Sequence, residues 1–244
     1  MSDWFTELGP GRGLPAGAAR ELLDSGFVVI PGPVAGGRLD RLSRAYDAAV
    51  AGADPADVSV GSTTTRVHGL VNRGPEFDEL YVYGPVLEAC RLVIGRPFRL
   101  GSLLARTVRP HSPAQPLHAD FEADAEGWPM VGFILMVDDF RRDNGATRFV
   151  PGSHGRPAVP GEVAECATAG DGRQVVACGS AGSVIIYNGS VRHGHAANRS
   201  GVPRRSIQGA YVRRGEKSAA DHAGRILPQT RARIGPLAEY LLGI

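Results

Sequence analysis

Apolar positions follow two rhythms along the chain, one up to residue 94 and another from residue 98. In the first part they recur at helical spacing. Residues 16–25, "AGAARELLDS", predict a short helix, and "GFVVI" (26–30) predicts an apolar strand stopped by "PGP". Over residues 36–52, Leu39, Leu42, Tyr46 and Val50 fall on one helical face. Residues 53–75 are polar, contain glycine and show no period, which predicts a long loop of the kind that is usually functional or mobile. "GPVLEACRLVI" (84–94) predicts a helix opened by its proline.

From residue 98 the pattern is that of strands. "FRLGSLLARTVR" (98–109), "MVGFILMVDDF" (130–140), "GATRFV" (145–150), "GSVIIYN" (182–188) and "RRSIQGAYVRR" (204–214) are apolar or alternating runs. "RDNGA", "VPGSHGRP", "AGDGR" and "GSAGS" punctuate them as turns. Short strands so spaced predict an all-β sandwich or barrel. "QTRARIGPLAEYLLGI" (229–244) predicts a closing amphipathic helix. No repeat or low-complexity linker divides the chain, so a single domain over 1–244 is expected.

Composition narrows the class. The 244 residues are 43% hydrophobic, enough for a substantial core, and 33 glycines with 18 prolines suit a turn-rich β fold. A net charge of +2 offers no reason to expect nucleic acid or an anionic membrane as partner. Cys90, Cys166 and Cys178 are odd in number and widely spaced, with neither a zinc pattern nor a disulfide framework. With no apolar run of the roughly 20 residues a membrane helix needs, and no basic-then-apolar opening in "MSDWFTELGP", a cytoplasmic protein is expected.

The chemistry begins at "QPLHADFEAD" (115–124). On a strand, His118 and Asp120 would face the same side. The pair alone is a common polar step, and a metal site needs a further ligand from elsewhere. "VRHGHAANRSGVPRR" (191–205) offers His193 directly after a strand, with His195 two residues on as a competitor. His118, Asp120 and His193 would make a set of two histidines and one carboxylate. That set leaves adjacent coordination positions open, as non-heme Fe(II) oxygen chemistry requires, whereas structural zinc closes all four.

"LHAD", "NGATRFVPGSH" and "HGHAANRSGVPRR", in that order, resemble the phytanoyl-CoA dioxygenase family of Fe(II)/2-oxoglutarate-dependent oxygenases. "LLDSGFVVIPGPV" resembles that family's N-terminal opening, so the resemblance covers most of the chain. It implies a double-stranded β-helix (a cupin-like jelly roll) with flanking N- and C-terminal helices. It implies Fe(II), 2-oxoglutarate as co-substrate, and O2. In the family pattern the ligand lies five residues before an asparagine and eleven before the co-substrate arginine. His193 meets both through Asn198 and Arg204, which leaves His195 beside the site or at its rim. Arg204 would pair the buried far carboxylate of 2-oxoglutarate, a task suited to a planar, permanently charged fork. Strand alternation sets Arg204 with Ser206, Gln208 and Ala210, and Arg205 with Ile207 and Tyr211; the alternative is a solvated arginine pair. Thr147 and Gln115 match positions that contact 2-oxoglutarate in related members. Ser153 and His154 read as turn chemistry.

The resemblance implies hydroxylation of an unactivated C–H bond with release of succinate and CO2. Asp120 disfavours halogenation, because related halogenases lack that carboxylate. Desaturation, epimerisation and cyclisation stay open, as do a non-catalytic cupin-type sensor or carrier and an isomerase or hydrolase using another metal. The substrate is expected to be a small-molecule metabolite, with Arg66, Asn72, Arg106 and Trp128 as candidate lining residues. Arg106 shares parity with Phe98, Leu100 and Leu104, and would meet either a substrate carboxylate or a structural ion pair. The sequence does not specify an oligomeric state.

Overall fold

A computed structural model describes residues 13–155, 173–218 and 220–244. Ten strands among them build two antiparallel sheets. In chain order they are β1 (Phe27–Pro31), β2 (Val58–Val60), β3 (Thr64–Val67), β4 (Phe98–Val108), β5 (Met130–Met136), β6 (Thr147–Phe149), β7 (Val175–Val176), β8 (Ser183–Asn188), β9 (His193–His195) and β10 (Arg204–Arg213). The larger sheet runs β1-β8-β5-β10-β4-β3-β2 and the smaller β7-β6-β9. Helices flank them: α1 (Ala16–Ser25), α2 (Gly37–Ala51), α3 (Gly84–Val93), α4 (His222–Arg225), α5 (Pro228–Arg233) and α6 (Pro236–Leu242).

Each face of the larger sheet buries its own core. Phe27, Ile134, Met136 and Ile185 meet Phe149 and Val191 from the side of the smaller sheet, with Phe27 and Phe149 stacked at 4.2 Å. The opposite face packs under the helices, where Val131, Phe133, Leu135, Ile186 and Ile207 meet Leu22, Leu42, Tyr46, Leu87 and Leu241. Both faces of β5 are thereby covered, which is why "MVGFILM" is apolar throughout and buried at every position. This is the expected double-stranded β-helix with flanking helices.

Three expectations need correction. Residues 53–75 are not a structureless loop: they carry β2, β3 and short 3-10 turns at 55–57 and 70–72, and β3 extends the larger sheet alongside β4. Polar threonines hid this strand, since Thr64 is buried by its neighbours and not by its own hydrophobicity. The stretch read as one closing helix holds two short ones, because Pro228 and Pro236 each start a new one. The parity on β4 also breaks. A bulge against Ala210 and Tyr211 skips Gly101, pairing Ser102 with Ala210 and Leu100 with Tyr211. Phe98 and Leu100 therefore join the core under the helices, while Leu104 and Arg106 face the opposite way. Strands β7 and β9 were not expected at all. Cys166 lies outside the described residues; Cys90 is buried and Cys178 exposed, both as free thiols.

Candidate metal centre

The two ligand motifs meet by backbone pairing. The His118 amide donates to the His193 carbonyl at 3.0 Å and the His193 amide returns a bond to His118 at 2.9 Å. The Asp120 amide donates to the Gly189 carbonyl at 2.8 Å, tying the second half of the motif to the loop after β8. One ligand atom from each of His118, Asp120 and His193 then falls within 4.8 Å of the others. His118 Nε2 lies 3.7 Å from Asp120 Oδ1, and His193 Nε2 lies 3.6 Å from Asp120 Oδ2.

The donor set fits a divalent metal in its protonation as well as its geometry. Nδ1 of His118 stands 3.2 Å from the Pro116 carbonyl, and Nδ1 of His193 stands 3.0 Å from the Val191 carbonyl. A carbonyl only accepts, so each Nδ1 carries the proton and each Nε2 turns a lone pair toward Asp120. Burial pushes the His193 imidazole below its ordinary pKa, against the pull of Asp120, which favours the neutral form a ligand needs. Tyr187 donates its hydroxyl to Asp120 Oδ2 at 2.8 Å, and burial drives that phenol's pKa well up, so it stays a donor. Strand alternation puts Tyr187 on the inner face with Ile185, but nothing in the sequence shows its partner.

His195 is committed elsewhere. Its Nε2 lies 2.8 Å from Thr63 Oγ1, its Nδ1 donates to the Ala196 carbonyl, and burial lowers its pKa to about 4.

Around this centre the other candidates separate into those brought close and those held away. Arg204 is completely buried. It donates to Ser206 Oγ at 3.0 Å and to the Gly145 carbonyl at 2.8 Å, and lies 4.1 Å over the Phe140 ring. It makes no ion pair among the described residues, and its Nε has no partner. Burial, helped by the charge of Arg106, lowers its pKa to about 9. Arg205 points the other way into Asp138 and Asp47, as alternation requires. Thr147 is buried opposite His195 on β6. The backbone N–H of Gln115 donates to the His195 carbonyl at 3.0 Å, and its side-chain Oε1 accepts from Arg106 Nη2 at 2.7 Å.

A cavity of about 570 Å3 opens beside the ligands, lined among others by Arg66, Leu104, Arg106, Met130, Gln208 and Lys217. Two expected lining residues are not there. Asn72 bonds the Arg225 carbonyl and the Leu227 amide, and lines a separate cleft. Trp128 donates to the His154 carbonyl at 3.3 Å and packs on that histidine's ring. Ser153 and His154 are turn residues as expected: Ser153 Oγ accepts from the Arg192 amide, and His154 Nε2 lies 3.0 Å from the Leu23 carbonyl.

A jelly roll that gathers two imidazoles and one carboxylate beside an open cavity defines the class of mononuclear non-heme metal oxygenases. The family model "Phytanoyl-CoA dioxygenase (PhyH)" matches residues 22–206, and the chain belongs to that family. It is a non-heme Fe(II)- and 2-oxoglutarate-dependent dioxygenase. The multifunctional dioxygenase prhA of Penicillium brasilianum is 28% identical over 210 residues, 78% of this chain and 70% of that protein. Among solved structures, the carbocyclase SnoK from nogalamycin biosynthesis matches with a TM-score of 0.68 at 20% identity, over 90% of this chain and 94% of that one. The epimerase SnoN, solved with Fe3+, alpha ketoglutarate and nogalamycin RO, matches with a TM-score of 0.65 at 18% identity, over 80% and 82%. These two likenesses concern the fold. Among the described residues, no helix is long and apolar enough to cross a membrane.

Proposed function

We propose that this dioxygenase hydroxylates an unactivated C–H bond of a small-molecule metabolite, releasing succinate and CO2. His118, Asp120 and His193 would hold Fe(II). The observation that carries the assignment is the convergence of their ligand atoms within 4.8 Å, with both Nε2 lone pairs free. When bound, iron and 2-oxoglutarate together supply the O2-activating, hydrogen-abstracting chemistry; the protein supplies position, charge and exclusion of water.

Arg204 would bind the far carboxylate of 2-oxoglutarate. A fully buried guanidinium without an ionic partner is costly, and a carboxylate arriving at its fork relieves that cost. Thr147 and Gln115 would border the same co-substrate. Gln115 is held by Arg106 on its oxygen, which leaves its amide nitrogen to donate. Helices from both ends of the chain pack on the larger sheet, which supports reading residues 1–244 as one catalytic domain. A cytoplasmic setting is part of the same proposal and accords with the free thiols of Cys90 and Cys178.

Succinate release under Fe(II), 2-oxoglutarate and O2, screened against a metabolite library, tests this reading. Asp120→Ala is expected to abolish iron-dependent succinate formation. Arg204→Ala is expected to raise the apparent KM for 2-oxoglutarate by about a hundredfold, as losing a buried charge pair implies. Undiminished turnover in the first, or an unmoved KM in the second, overturns the corresponding assignment.

A further inference from the structure

Lys217 is the single lysine of the chain, whose 27 basic residues are otherwise arginine. It lies in the turn after β10 and lines the metal cavity. Arg66 on β3 and Arg106 on β4 line the same cavity and sit directly opposite each other in the antiparallel register. Like charges so placed repel. Several arginines elsewhere do find carboxylates: Arg73 pairs with Asp57, Arg205 with Asp138 and Arg233 with Asp78. Among the described residues Asp120 is the sole carboxylate of the cavity wall, and its close partners are His118, His193 and Tyr187, not these cations. Arg106 is buried, yet its hydrogen bonds go to the neutral oxygens of Gln115 and Gln208, and its Nε has no partner.

The co-substrate does not absorb this charge. 2-Oxoglutarate has two carboxylates, one for the metal and one for Arg204. Were the metal-side carboxylate also to lean on Arg106, Arg66 and Lys217 would still face the cavity with no counter-ion among the described residues. Cations gathered in a concave wall raise the local concentration of anions. The remaining wall is partly apolar, with Leu104, Phe121, Met130 and Val212, and the volume of about 570 Å3 suits a small molecule.

We propose that the substrate bears an anionic group, a carboxylate or a phosphate, on an apolar body, and that Arg66 and Lys217 bind this group where the cavity opens. The proposal rests on the reading that His118, Asp120 and His193 hold iron beside the same cavity.

The single lysine makes a direct test available. The full chain, loaded anaerobically with Fe(II) and 2-oxoglutarate, shows a visible charge-transfer band if the metal and co-substrate sites assemble as assigned. Acetylation by an N-hydroxysuccinimide ester then targets Lys217, with the terminal amine as internal control, and peptide mass mapping reads the rate. Octanoate, octyl phosphate and 1-octanol are compared at equal concentration. One of the two anions is expected to slow Lys217 acetylation about tenfold or more, as occupancy of an ion-pairing site implies. Octanol should not, and Arg66→Gln should remove the protection. Whichever anion protects better identifies the headgroup. Lys217→Gln, a change in an exposed turn, should weaken calorimetric binding of that anion about tenfold. Equal protection by octanol, or none by either anion, overturns the proposal while the band persists. Loss of the band on adding the anion places it on the co-substrate's anchor and overturns the proposal too. Absence of the band from the start overturns the underlying site reading instead.

Discussion

Tyr187 governs how Asp120 is presented. Its hydroxyl occupies Oδ2 at 2.8 Å, and its ring packs 4.7 Å from that of His193. Partners that hold a metal-binding carboxylate typically contribute about 10–100-fold in metal affinity. Tyr187→Phe keeps the ring and deletes the donor. Its expected effect is an Fe(II) or Co(II) affinity about 10–100-fold weaker at nearly unchanged melting temperature. Anaerobic metal titration checks this, and an unshifted affinity would remove Tyr187 from the site's support. The cluster of His118, Asp120 and His193 was legible, because their residue types and order suggested that they would meet. Tyr187 was not: its partner lies 67 residues away, and alternation reports a face but never a partner. The same alternation did separate Arg204 from Arg205, since β10 runs without interruption past both.

At the scale of elements, the site depends on how closely strands approach. Gly132 on β5 pairs with Tyr187 on β8, and a Cβ at Gly132 would fall 2.2 Å from the Tyr187 ring. The phenol crosses the space that any side chain there would fill. Gly132→Ala is expected to cost about 1–3 kcal/mol through overpacking, and to displace the Tyr187 hydroxyl from Asp120. Melting temperature and metal affinity should fall together in Gly132→Ala, whereas Tyr187→Phe lowers affinity alone. A stable Gly132→Ala protein with full metal affinity would show that the ring has room to move. Long apolar strands such as β5 and β10 were readable from hydrophobicity. The bulge at Gly101 was not, because a skipped residue leaves no trace in the alternation it breaks; Phe98 and Arg106 share a parity in sequence and not in space. Strand β9 escaped for another reason. "HGH" has no β-rich composition, and it is extended because Thr147, Phe149 and His118 pair with it.

Across the whole molecule, residues 217–218 line one cavity and 220–227 form a strap along another. Lys217 and Ser218 line the metal cavity, while Asp221, His222, Arg225 and Leu227 line a separate cleft against the 53–75 segment. Asp57 anchors the strap through Arg225 at 2.7 Å while also holding Arg73 at 2.8 Å. Asn72 adds bonds to the Arg225 carbonyl and the Leu227 amide. This is the place where Asn72 departs from its expected role, since a contact 153 residues distant in sequence has no local signature. The strap also encloses His222, whose Nε2 is buried without a partner among the described residues. Burial lowers its pKa from 6.5 to about 4, opposed by Asp221 and reinforced by Arg99; His68, Asp57 and Arg225 face the same cleft. As pH falls through 6.5 the unfolded strap protonates His222, while the docked strap does not until about 4. Between those values the undocked state binds more protons, so docking weakens as pH falls, and below about 4 this residue adds no further loss. Amide exchange in 220–227, corrected for intrinsic rates, should therefore quicken between pH 7 and pH 5 relative to the strands of the larger sheet. His222→Gln should flatten that difference. Equal protection of the wild-type strap at both pH values would mean that His222 is not held neutral by burial, and that the strap owes its docking to the Asp57 and Asn72 contacts alone.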